Sequence, residues 1–89
     1  MTQLTLEIAN EKGLHARASA KLVEVVEGFD AQAEVSRDGL SASGDSIMGL
    51  LMLAASKGTT IDVETSGPDA EALAQAIKAL VADKFGEDF

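Results

Sequence analysis

Cysteine is absent from these 89 residues, which excludes disulfides, thiol catalysis and thiolate-ligated zinc or iron–sulfur sites. Tryptophan and tyrosine are absent too, and the 3% aromatic content gives no series of rings on which nucleic-acid bases could stack. Positive charge is scarce: seven Lys and Arg stand against fifteen Asp and Glu, a formal charge of −8. Such a chain is repelled by nucleic acid and by anionic membranes, so neither is expected as a partner. No apolar run is long enough to span a bilayer, since the longest, Ile47 to Ala55, is short and contains Gly49. The first thirteen residues lack a basic start and a long apolar block, so no export signal is expected and the cytoplasm is the expected compartment. No cluster has metal-ligand spacing and no Gly-rich nucleotide loop occurs; neither metal nor cofactor is expected. What remains is 46% hydrophobic, enough for one modest core over residues 1–89 and too apolar for disorder. That size suits a carrier, binding module or regulator, and a monomer is expected.

The apolar pattern changes period along the chain. Leu4, Leu6 and Ile8 alternate with polar residues as in a half-buried strand. After a turn at Asn10–Gly13, Leu22, Val23, Val26 and Phe29 recur at helical spacing, with Gly28 near the end. Ala33 and Val35 alternate again, Asp38-Gly39 gives a strong hairpin signal, and Leu40 and Ala42 continue inward on the return strand. Asp45 or Ser46 can cap a second helix whose inward stripe is read as Ile47, Leu50, Leu51 and Ala54, closed by Lys57-Gly58. Ile61 and Val63 mark a fourth strand. Pro68 opens a last helix with Leu73, Ile77, Leu80 and Val81 inward. The order β-α-β-β-α-β-α predicts an α+β open-faced sandwich: a four-stranded antiparallel sheet with three helices on one face.

His15 is the only histidine. A lone histidine is most often structural or merely exposed, but this one stands between a strand-ending turn and the first turn of a helix. A helix N-terminus presents unpaired N–H groups and partial positive charge, a binding place for an anion. Arg17 adds a planar donor fork suited to phosphate, and both favour neutral imidazole, which is a nucleophile. Together these describe phosphoryl acceptance on histidine.

Gly13-Leu14-His15-Ala16-Arg17-Ala18-Ser19-Ala20 resembles the phosphorylation-site signature of the histidine-containing phosphocarrier (HPr) family of the bacterial phosphotransferase system. Ser46-Ile47-Met48-Gly49-Leu50 resembles that family's second signature, around a regulatory serine. The spacing of the two, the length and the element order agree, and the resemblance covers essentially the whole chain. It implies that His15 accepts phosphate on Nδ1 from enzyme I, which takes it from phosphoenolpyruvate, and passes it to enzyme IIA. It implies that Arg17 assists at the phosphate, that Ser46 is phosphorylated by an HPr kinase/phosphorylase, and that the chain is a carrier and not an enzyme. It further implies that Ala16, Ala20, Ile47, Met48, Leu51 and Met52 lie on a shared docking face. One departure is Ala18, where the family most often has proline; alanine forms helix well but holds the turn less rigidly.

Ser46 also reads as a plain N-cap, and both roles are compatible because a phosphate is tolerated at a helix N-terminus. Met48 and Met52 fall outside the inward stripe, where flexible thioethers suit several partners. Lys12, Lys21 and Lys57 form a sparse basic rim near the two motifs. Asp62, Glu64, Asp69, Glu71, Glu87 and Asp88 read as solvated faces. Two rival readings remain. A nitrogen-related regulatory phosphocarrier shares the fold and the chemistry. An acyl carrier with phosphopantetheine on Ser46 shares the size and acidity, but such carriers are helical bundles, and four alternating segments oppose it.

Overall fold

Alternating segments form four strands, β1 (Thr2–Glu7), β2 (Gln32–Arg37), β3 (Leu40–Ser43) and β4 (Thr60–Ser66). Helically spaced segments form α1 (Ala16–Glu27), α2 (Ile47–Met52) and α3 (Ala70–Ala82), and a 3-10 turn follows at Lys84–Gly86. The computed structural model describes residues 1–87, so Asp88, expected on a solvated face, lies outside the described residues.

The strands pair antiparallel in the order β1-β4-β2-β3. Leu4 faces Val63, Val63 faces Val35, and Val35 faces Ala42, one inward row across all four strands. The next row, Gln3, Glu64, Glu34 and Ser43, points the other way because successive side chains alternate across a sheet. There Gln3 Nε2 donates to Glu64 at 2.7 Å and Thr5 Oγ1 donates to Asp62 at 2.8 Å, so the acidic positions of β4 form a solvated polar face. The inward face is covered by helices: α3 packs on β1 and β4, and α1 packs on α2 and α3. Leu22, Leu50, Ile61, Leu73 and Ile77 are all fully buried between the layers. Each such side chain contributes about 1.5–3 kcal/mol relative to exposure.

The expected hairpin is present. Asp38 and Gly39 hold φ of +52° and +80°, the two left-handed residues of a turn whose twist matches the strands. Ser46 caps α2, its Oγ accepting from the Gly49 N–H at 3.1 Å.

Three expectations fail locally. α2 ends at Met52 and not at Lys57-Gly58, because Ala54 turns left-handed (φ +52°) and Ala55 leaves to accept a bond from the Leu14 N–H at 2.8 Å. A tertiary hydrogen bond thus replaces the next helical one. Its inward residues are accordingly Leu50, Leu53 and Ala55; Leu51 is half-buried, while Ile47 and Ala54 are exposed. Leu40, expected inward, is 52% exposed because it pairs with Arg37 at the hairpin end of the edge strand. Glu87 and Lys21 also depart from their expected surface roles, as the site shows.

Candidate functional site

The site is built around the loop between β1 and α1. Gly13 has φ +62°, and a Cβ there would lie 2.4 Å from the Ala55 carbonyl oxygen and 2.8 Å from Ser56 Cα. Its carbonyl accepts from Asn10 Nδ2 at 2.8 Å, and its N–H donates to the Asn10 carbonyl at 3.2 Å. Leu14 is buried, and its carbonyl accepts from Ser19 Oγ at 3.2 Å. These contacts hold the segment preceding His15 from both sides. Gly13→Ala is expected to destabilise the protein by at least about 2 kcal/mol, since a left-handed non-glycine is strained and the methyl meets backbone. Urea unfolding of the variant measures this.

His15 is the N-cap residue of α1, extended at φ −78° and ψ −177°, with no side-chain capping bond. The first ladder bond runs from the Ser19 N–H to the His15 carbonyl at 2.8 Å, so the N–H groups of Ala16, Arg17 and Ala18 precede it. These open donors and the positive end of the helix dipole surround the ring's backbone. Ala18 is fully buried and α1 is regular from Ala16, so the missing proline leaves the helix start intact and one extra N–H present. Arg17 is exposed on the first turn, and among the described residues it forms no ion pair.

The ring is 25% exposed, and its Nε2 meets Glu87 Oε2. The other carboxylate oxygen, Oε1, accepts from Asn10 Nδ2 at 2.9 Å. Glu87 is therefore no solvated acid; its side chain is 12% exposed. The Asn10 hydrogen bond, then that of His15, holds its carboxyl below the usual carboxylate range, with the nearby Lys12 charge adding to this. Lys21, expected on a basic rim, instead donates from Nζ to the Phe85 carbonyl at 2.6 Å and is half-buried. Lys12 and Lys57 remain exposed. Sequence reasoning missed Asn10 and Glu87, and only their separation in the chain explains why: 77 positions part them.

The expected docking residues divide. Met48 and Met52 are 71% and 75% exposed, and Ile47 and Ala16 are exposed as well. Ala20 and Leu51 are half-buried. Because α1 and α2 pack side by side, these residues lie on adjoining helices, with Ser46 half-buried at the start of α2. Asp62 and Glu71 are exposed and Glu64 is half-buried, while Asp69 accepts from the Asp30 N–H at 2.9 Å. Among the described residues, no group of three or more His, Asp and Glu could hold a metal ion, and no helix is long and apolar enough to cross a membrane.

The sequence and the fold have known counterparts. Residues 2–83 match the family model described as the PTS HPr component phosphorylation site. The chain is 47% identical over 87 residues to the phosphocarrier protein HPr of Cupriavidus necator, covering 98% of each chain. It is 44% identical over 85 residues to the phosphocarrier protein NPr of Escherichia coli, covering 94% of each. Among solved structures, an HPr of Thermoanaerobacter tengcongensis matches at a TM-score of 0.95 with 36% identity, covering all of both chains.

Proposed function

Because the chain belongs to the HPr family of the phosphotransferase system, a phosphocarrier and not a catalyst in itself, we propose that His15 is the residue that carries its phosphoryl group. The group comes from enzyme I, charged by phosphoenolpyruvate, and leaves to an enzyme IIA in sugar uptake, with the whole chain acting as one carrier domain in the cytoplasm. The observation that supports this is the placement of the ring at the N-cap of α1, partly exposed and making no capping bond, ahead of three open N–H groups. A phosphoryl group on that ring meets N–H donors, a helix dipole and the Arg17 fork together. The docking surface is the pair of helices carrying Ala16, Ala20, Ile47, Met48, Leu51 and Met52, and Ser46 at its edge is the regulatory position for a kinase.

The test is reconstitution with phosphoenolpyruvate and enzyme I, followed by transfer to sugar-branch and nitrogen-branch enzyme IIA proteins. Acid-labile, base-stable phosphate that moves to a sugar-branch partner is expected. Movement to the nitrogen-branch partner alone would assign the other branch, and a stable pantetheine mass in place of phosphate would refute the carrier role.

Arg17 gives a sharper check. Arg17→Ala is expected to keep the fold, since the side chain is exposed. A partly exposed charge–phosphate contact is worth about 1–3 kcal/mol, so phosphoryl transfer should slow by about tenfold to a hundredfold. Arg17→Lys should recover only part, because a point charge lacks the bidentate fork. Wild-type rates in Arg17→Ala, read by quenched-flow phosphorylation, would remove Arg17 from the site.

A further inference from the structure

The segment after α3 is anchored before it reaches His15. Lys84 and Phe85 hold left-handed backbone, φ +54° and +56°, a conformation unfavourable for both residue types. It persists because the Phe85 ring is fully buried and its carbonyl is held by Lys21 Nζ. This turn delivers Glu87 with its carboxylate divided between two partners, Oε1 to Asn10 Nδ2 and Oε2 to His15 Nε2. Asn10 is wholly buried, and the same Nδ2 also donates to the Gly13 carbonyl, while its Oδ1 has no partner among the described residues. A buried acceptor left unpaired is a cost that folds rarely accept. Turning the amide over would set oxygen against two oxygens, so both contacts fix Nδ2 as the group facing Glu87. A buried amide thus clamps a carboxylate, and the carboxylate meets one ring nitrogen of the histidine.

We propose that Glu87 is a positioning residue for phosphoryl transfer at His15, an inference that rests on the phosphocarrier reading. Its carboxylate accepts from Nε2–H, which fixes that tautomer and leaves the lone pair on Nδ1. In the acceptance step the Nδ1 pair forms the P–N bond. The donor's bond to phosphorus breaks, and its electron pair stays with the donor. The ring then carries positive charge, with Nε2–H facing a carboxylate already in place to stabilise it. In onward transfer the P–N pair returns to Nδ1 and the Nε2 proton never leaves the hydrogen bond. Glu87 touches neither phosphorus nor partner; it acts through the ring.

The experiment compares wild type, Glu87→Gln and Glu87→Ala by the ¹⁵N shifts of the His15 ring at alkaline pH and by phosphoryl uptake from phosphoenolpyruvate through enzyme I. In wild type the ring should be a single Nε2–H tautomer. In both variants the two nitrogen shifts should move toward those of free imidazole, and uptake should slow by about tenfold or more, the usual scale for losing a histidine's orienting partner. Glu87→Gln should fall between the two, since its amide oxygen still accepts but carries no charge. Ring shifts identical in all three proteins would overturn the proposal, even with slower uptake, because the loss would then be merely structural. A wild type that takes no phosphate would overturn the assignment of His15 instead, and the ring shifts would still decide on Glu87.

Discussion

His15→Ala is expected to take up no acid-labile phosphate from enzyme I, where wild type takes up one equivalent. The argument is chemical before it is structural. A P–N bond needs a neutral nitrogen nucleophile, and His15 is the only histidine in the chain. Serine phosphate formed by a side route survives acid, so a brief acid treatment separates the two. The loss must also be specific. His15 makes no capping bond and its ring is partly exposed, so the helix start keeps its ladder without it. Among the described residues its one side-chain hydrogen bond is to Glu87. Loss of such a contact should cost no more than about 1 kcal/mol, a fall of roughly 4–8 °C in melting temperature for a domain of this size. A folded His15→Ala protein that still accepted acid-labile phosphate would refute the assignment.

Ser46→Asp is expected to accept phosphate on His15 at least about thirtyfold more slowly than wild type, while remaining as stable or more so. Phosphorylation of Ser46 places about −1.5 to −2 charges at the start of α2, and aspartate places about one. The fold tolerates this, because an anion at a helix N-terminus meets open N–H groups and the positive dipole end. The complex does not. Ile47, Met48 and Met52 are exposed beside that charge, and a partner seating apolar surface on them must strip it of water next to Asp45. Mismatched charge at an interface costs on the order of 2 kcal/mol or more, which is the thirtyfold. Ser46→Ala separates this from capping. It loses the bond from the Gly49 N–H, costing about 1 kcal/mol of stability, and should leave phosphoryl transfer untouched. Equal uptake by Ser46→Asp and wild type at matched folded concentration would leave Ser46 as a helix cap alone.

The parts of the fold that were legible are those written in short-range periods. Leu4, Val35, Ile61 and Val63 alternate and Leu22, Val26, Leu73 and Ile77 repeat helically, and all of them face the core. The Asp38-Gly39 turn and the Ser46 cap were legible because their chemistry is confined to two to four neighbouring residues. The placement of His15 and Arg17 at a helix start was legible for the same reason: the turn, the ring and the guanidinium stand within a few positions. α2 was misread where a distant partner intervened. Nothing near Ala54 announces its left-handed turn, since Leu14, forty positions earlier, supplies the bond that compensates for leaving the helix.

By itself, then, the sequence determined the α+β order, the inward rows and the histidine at a helix N-cap, because periodicity, turn chemistry and capping act over a few residues. Only the tertiary structure decided what surrounds that histidine. Glu87 reaches it across 72 positions, past a buried Phe85, with Lys21 holding the turn and Asn10 holding the carboxylate. Each of those residues reads locally as an ordinary surface acid, a surface lysine, a turn asparagine or a tail phenylalanine. Their joint geometry exists only after loop closure has brought residues 85–87 against residues 10–21, and no local period records that closure.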